Sequence, residues 1–214
     1  LDFDLSTLFP VIVILAGVVT IQFFYGRKLN LALMRNVIVT LEEIIRPKDQ
    51  LYTWLGGYIG FKAEYDVDDT AVEKIEATLT LLPRHSILYL PVSKITLKDD
   101  RLFIVFRSRY PIRGDVHIIR RGLYKFGKGI DNPMEYFDDR IALNGLEYDV
   151  FFKKKEDKDK LIKLISGLPV EKIKHISITP STRVIYAFIT PEKRVIQEII
   201  PRMFKITREF AKGG

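Results

Sequence analysis

The sequence predicts an α+β fold: one N-terminal transmembrane helix followed by a cytosolic domain of antiparallel β-hairpins with segregated helices. Three observations carry this expectation. From Leu5 to Gly26 the chain has no charged side chain. Short strand-like segments follow, punctuated by tight turns, of which Asn144-Gly145 is the strongest. Helix-patterned stretches stand apart from the strands, which favours α+β over a doubly wound sheet. The chain divides accordingly into residues 1–26, the transmembrane helix with a short external end; 27–47, a juxtamembrane helix; and 48–214, the cytosolic domain.

The apolar run reads LSTLFPVIVILAGVVTIQFFYG. It matches the roughly 20 residues a helix needs to cross a ~30 Å hydrocarbon core. It exceeds the about 7–15 residues of a signal-peptide apolar region. Asp2 and Asp4 precede it, and Arg27 and Lys28 follow. That asymmetry puts the N-terminus outside and the C-terminal domain in the cytoplasm, at the plasma membrane for a prokaryotic source. Phe23, Phe24 and Tyr25 fall where an interfacial aromatic belt sits. Pro10 lies near the outer end, where a lost backbone hydrogen bond costs little. Gly17, Thr20 and Gln22 read either as ordinary membrane-helix composition or as a face for another membrane helix. A buried helix of a soluble protein is the competing account, and the bracketing charges argue against it. The first residue is Leu and not Met, which leaves open whether residues precede it.

Arg27 to Arg46 continues as a helix, with Met34, Val37, Ile38, Leu41, Ile44 and Ile45 at helical spacing and Pro47 ending it. Leu51 to Val67 reads as strand broken at Gly56-Gly57, with Trp54 and Tyr58 as packing residues. Ala71 to Leu82 reads as a helix, with Val72, Ile75, Leu79 and Leu82 on one face and Pro83 closing it. Val92 to Leu97 and Leu102 to Ser108 read as a hairpin around Asp99-Asp100. Val116 to Lys125 is a further strand, and Gly127 to Phe137 an irregular loop. Arg140 to Leu143 and Leu146 to Lys153 form a second hairpin. Asp157 to Ser166 is a short helix, and Ile173 to Ile178 and Val184 to Ile189 are strands. Pro191 opens a last helix, Glu192 to Phe210, whose stripe contains Val195, Ile196, Ile199, Ile200, Met203, Ile206 and Phe210. Pro201 inside that helix predicts a kink.

Chemical motifs are few. Without cysteine there is no disulfide framework, and His85, His117 and His175 are too scattered for a zinc cluster. Phosphate loops, nucleophile elbows and HExxH are all missing from the 214 residues. The pairs Asp68-Asp69, Asp99-Asp100 and Asp138-Asp139 read as solvated turn residues. The expectation is a protein with no catalytic, cofactor or metal site.

Positive charge is the better clue. The chain carries 34 basic and 27 acidic residues. Asp2 and Asp4 are its only charges before Arg27, so the remainder holds 34 bases against 25 acids, a net of +9. Arg107, Arg109, Arg113, Arg120, Arg121, Lys125 and Lys128 cluster around two neighbouring strands. They read as a phosphate-binding surface or as an ordinary solvated one. Nucleic acid and anionic lipid are the two partners that would exploit them.

Two stretches carry a resemblance. After the apolar run, Gly26-Arg27-Lys28-Leu29-Asn30 opens a helix continuing through Leu33, Thr40, Glu43 and Ile44-Ile45. Near the end, strands around Ile176 and Tyr186-Ala187-Phe188 lead to a helix with Ile199-Ile200-Pro201-Arg202-Met203. This resembles the calumin family, the coiled-coil-containing membrane subunit of the PAT complex. The resemblance implies a non-catalytic biogenesis factor beside the Sec translocon, working with an Asterix-like small membrane partner on nascent multi-pass membrane proteins. It also implies a ribosomal contact through rRNA, for which Arg120, Arg121 and Lys125 are the first choice. Val37 stands where the family usually has tryptophan, and the sequence reaches Gly214 without the family's long basic coiled coil. A minimal, archaeal relative is therefore expected, with any ribosome contact on the globular domain. A membrane-anchored lipid-binding or scaffolding domain with no ribosomal role is the alternative.

Overall fold

The computed structural model describes residues 5–124 and 129–211. It is α+β, with one long apolar N-terminal helix and an antiparallel sheet carrying helices. Helix α1 runs unbroken from Leu5 to Ile45, about 60 Å at 1.5 Å per residue. The two expected segments, 5–26 and 27–46, are thus one rigid rod. Residues 9–21 of its apolar half are exposed: Phe9, Leu15 and Ile21 are all more than half exposed. From Gly26 onward one face turns inward, through Asn30, Met34, Val37, Leu41 and Ile45. Arg46, at φ 51°, ends the helix before Pro47, a position where proline disfavours helical backbone.

The strands are β1 (Asp49–Trp54), β2 (Gly60–Asp66), β3 (Val72–Thr80), β4 (Arg101–Ser108), β5 (Val116–Arg120), β6 (Phe137–Leu143), β7 (Leu146–Phe152), β8 (Ile173–Thr179) and β9 (Val184–Ile189). They form one antiparallel sheet in the order β1-β2-β3-β4-β9-β8-β5-β7-β6. The remaining helices are α2 (Tyr89–Thr96), α3 (Lys155–Ile165) and α4 (Lys193–Phe210). Helix α4 packs on β3, β4 and β9, flanked by α1 and α3. Its apolar stripe is buried as expected. The helix is unbroken across Pro201, which lies on its exposed side, where a carbonyl freed by the missing N–H meets water. The β6–β7 hairpin turns at Asn144 (φ 48°) and Gly145 (φ 77°), two positive values that a type I′ turn requires.

Two elements correct the expectation. Ala71–Leu82 is not a helix: Val72–Thr80 is strand β3, paired on both sides. Ile75, Ala77 and Leu79 are buried alternately, and an irregularity between Val72 and Lys74 brings Val72 onto the same face. Val72, Ile75 and Leu79 fit a helical stripe as well, so periodicity alone misassigned them. Conversely, Val92–Leu97 is not a strand. It belongs to α2, with Pro91 in the first turn, where its missing N–H goes unneeded. Trp54, expected to pack, is largely exposed.

Asn30 of α1 bonds to Tyr58 and Leu82 beside the start of β2. Beyond Ile45, Lys48 N–H bonds to the Asp66 carbonyl at the end of β2. The helix therefore runs along the strands and defines two ends of the sheet. At the near end the exposed half of α1 joins the domain, close to Trp54, Leu82, α2, Arg101 and Arg120. The far end carries Asp66, Ser108, Val116 and Arg183.

Candidate functional site

The joint between α1 and the sheet is built on close approach and buried polarity. The Gln22 side-chain amide donates to the Arg84 carbonyl at 2.9 Å. Gly26 abuts the Arg84–His85 backbone so closely that a β-carbon would overlap it. Asn30 is fully buried. Its Nδ2 donates to the carbonyls of Tyr58 and Leu82, both at 2.9 Å. Its Oδ1 accepts from Arg84 Nη1 at 3.1 Å. Arg84 also forks onto Asp100 at 2.9 and 2.7 Å, and Asp100 accepts the Leu82 N–H at 2.8 Å. Arg27 lies 4.5 Å over the Tyr58 ring. Each polar atom of Asn30 that enters this joint has a partner, so burial there carries no unpaired-group penalty.

Of the residues expected to meet another membrane helix, Gln22 is turned to this chain's own Arg84. Thr20 Oγ1 donates back to the Ala16 carbonyl at 2.8 Å. Nothing lies within 4 Å of a β-carbon on Gly17. The aspartate pairs are not merely solvated. Asp68 pairs with Lys48, Asp69 with Arg208, Asp99 with Lys174, Asp100 with Arg84 and Asp139 with Lys158.

The basic residues divide between the two ends. Arg107, Arg109 and Arg113 stand towards the far end: Arg107 binds Glu76 at 2.5 Å, Arg109 reaches the Val72 carbonyl at 3.5 Å, and Arg113 is exposed. Arg120 and Arg121 stand at the near end. Arg120 Nη1 donates to the Glu171 carbonyl at 3.0 Å. Arg121 pairs with Glu147, which pushes the guanidinium's pKa up. Lys125 and Lys128 lie outside the described residues.

At the near end Arg120 and Arg121 meet cations that sequence proximity did not reveal. A cleft of about 400 Å³ is lined by Lys98, Arg101, Arg120, Arg121 and Lys174, with Asp99 as the one acid. Lys174 is held by Asp99 at 2.8 Å and lies 5.5 Å over the Phe188 ring. Arg101 Nε is buried without a partner. Five cations line the cleft with one acid, Lys174 being paired with Asp99 and Arg121 with Glu147 beside it, a basic lining of the kind that suits anionic oxygen.

On the sheet face opposite α4, His117 and His175 lie side by side, ring centroids 5.8 Å apart. Tyr124 Oη meets His175 Nδ1 at 3.0 Å. Burial, aided by His117, pushes His175 down to about 3, so it is neutral near pH 7. Among the described residues no three His, Asp or Glu side chains converge on a metal-sized point.

No protein-family model matches the chain, and no curated protein matches it.

Proposed function

We propose that the chain is a single-pass membrane protein whose cytosolic domain serves as a non-catalytic biogenesis factor beside the Sec translocon, assisting multi-pass membrane proteins as they insert or fold. One observation carries this reading. An apolar helix exposed over residues 9–21 continues without a break into the domain core and is locked there by Gly26, Asn30, Arg84 and Asp100. Such a joint fixes the domain over one spot of the bilayer instead of letting it swing on a linker. Residues 9–21 of α1 are exposed, which supports a role as a surface for other membrane helices. Packing and interhelical hydrogen bonds drive such contacts in lipid. A Sec channel, an Asterix-like small multi-span protein and nascent chains are the partners of this reading. The ribosomal contact moves with the geometry. Arg120 and Arg121 belong to the end that faces the membrane, so exposed Arg109, Arg113 and Arg183 at the far end are better suited to rRNA phosphates.

Affinity purification from native membranes in mild detergent tests the proposal. Sec components and a small multi-span protein are expected to accompany the chain. Recovery of the chain alone after in situ cross-linking would sink it.

A second reading is favoured by the near-end cleft. Its five cations line the end of the sheet at which α1 leaves the domain, which supports headgroup binding by a domain with no ribosomal role. Retention of anionic phospholipid by the purified full chain, with no salt-sensitive ribosome association, would support that reading over the first.

A further inference from the structure

We infer that α2 is a second membrane contact, lying at the headgroup boundary of the cytosolic leaflet with Leu88, Tyr89, Val92 and Ile95 against lipid. This rests on the single-span reading of α1 and goes beyond it: the domain itself enters the bilayer surface.

A surface helix on a soluble domain turns its apolar stripe inward. Helix α2 does the reverse. Of its residues only Ser93 is buried, while Leu88 is 80% exposed, Tyr89 69%, Val92 56% and Ile95 73%. Positions 88, 92 and 95 share one side of a helix. Ile87 beside them and Trp54 and Leu55 at the same end of the sheet are also exposed. Several large apolar side chains grouped this way form a patch that marks an interaction surface.

The depth of α2 identifies what covers that patch. Leu90 and Lys94 share a small cleft with Gln22, Tyr25, Gly26 and Leu29 of α1. The segment leading into α2 is held by the Gln22–Arg84 bond, and the ring of Phe23 meets that of His85 edge-on at 5.8 Å. Residues 22–29 straddle the change from uncharged helix to Arg27-Lys28, the level of the cytosolic headgroups. A helix held beside those residues through the Arg84–His85 segment sits at that level. Its apolar side then meets acyl chains, and exposed Lys94 and Lys98 meet phosphates. Tyr89 and Trp54 are aromatic types that favour this boundary. Contact at both α1 and α2 fixes the rotation of the domain about the α1 axis and brings the basic cleft, whose lining begins at Thr96 and Leu97 of the same segment, over the headgroups.

The chain contains no cysteine, so single cysteines can be labelled cleanly. Val92→Cys, Val13→Cys and Lys155→Cys are made in the full chain, labelled with an environment-sensitive fluorophore and reconstituted into vesicles of phosphatidylcholine and phosphatidylglycerol containing spin-labelled lipid. The Val92 probe is expected to be quenched several-fold by spin labels near the top of the acyl chain. The Val13 probe should be quenched by labels deep in the bilayer, and the Lys155 probe by neither. Quenching at Val13 with a Val92 probe as wet as Lys155 would overturn the α2 contact and leave the span intact. No quenching at Val13 would remove the span as well. A Val92 probe shielded from water yet insensitive to spin-labelled lipid would mean that protein covers α2, and the inference would fail.

Discussion

Gly26 lies against the Arg84 carbonyl so closely that no side chain fits between α1 and the segment leading into α2. Elsewhere in a helix, Gly→Ala gains about 1 kcal/mol. Here the added methyl must push α1 off the Arg84–His85 backbone, which removes the Gln22 bond as well. Gly26→Ala is expected to destabilise the domain by about 1–3 kcal/mol, the cost of overpacking. Gly17→Ala, in open space, is the control and should not destabilise. Denaturant unfolding of both variants in the same detergent measures the difference.

Asn30 makes the corresponding polar lock. Asn30→Leu strands the carbonyls of Tyr58 and Leu82 and one Arg84 N–H. Leaving buried groups unpaired costs about 1–3 kcal/mol, and the loss is local. Hydrogen exchange across residues 82–88 should speed up before the rest of the sheet responds. Unchanged exchange there would show that the joint does not depend on Asn30.

These two residues also show what could be read without coordinates. The apolar run, the Asn144-Gly145 hairpin and the α4 stripe are local patterns, and each was legible. Asn30 stands in a helical series with Met34, Val37, Leu41 and Ile45, so a polar residue in an apolar stripe was the available signal for a buried contact. Its partner Arg84 comes from a loop 54 positions away, and no spacing rule reaches that far. The basic cleft failed to appear for the same reason: Lys98, Arg101 and Lys174 join Arg120 only through the strand order β4-β9-β8-β5. Arg107 and Arg113, closer to Arg120 in sequence than Lys174 is, end up towards the opposite end. The segments 71–82 and 92–97 exchanged helix for strand because short apolar series satisfy both periods.

His175 gives the domain a dependence on pH. Its folded pKa of about 3 lies below the ordinary value of about 6.5 because burial and His117 disfavour the charged ring. The unfolded chain binds the extra proton between these values, so stability rises with pH across that window. The contribution is complete above about pH 6.5 and fades as pH falls towards 3. His117, Tyr124 and Tyr186 face the ring. His175→Phe should flatten the fall in unfolding free energy between pH 6.5 and 4, whatever it costs at neutral pH. An equally steep fall in that variant would assign the effect to other groups.

The split of the basic residues separates two anionic partners by mutation. At a membrane surface each well-placed Lys or Arg is worth about 1 kcal/mol. Arg120→Glu with Arg121→Glu at the near-end cleft should therefore weaken retention of phosphatidylglycerol by the full chain roughly 30-fold or more. With these residues towards the headgroups, as proposed, ribosome co-sedimentation should stay the same. Arg109→Glu with Arg113→Glu should do the opposite, since each lost phosphate contact lowers the salt dependence of RNA binding by somewhat under one unit of log–log slope. Lipid retention should not change in that variant. If the near-end pair abolished ribosome association and the far-end pair did not, the cleft would face RNA. The domain would then have to sit the other way up, which the Gly26–Arg84 joint does not permit while α1 crosses the bilayer.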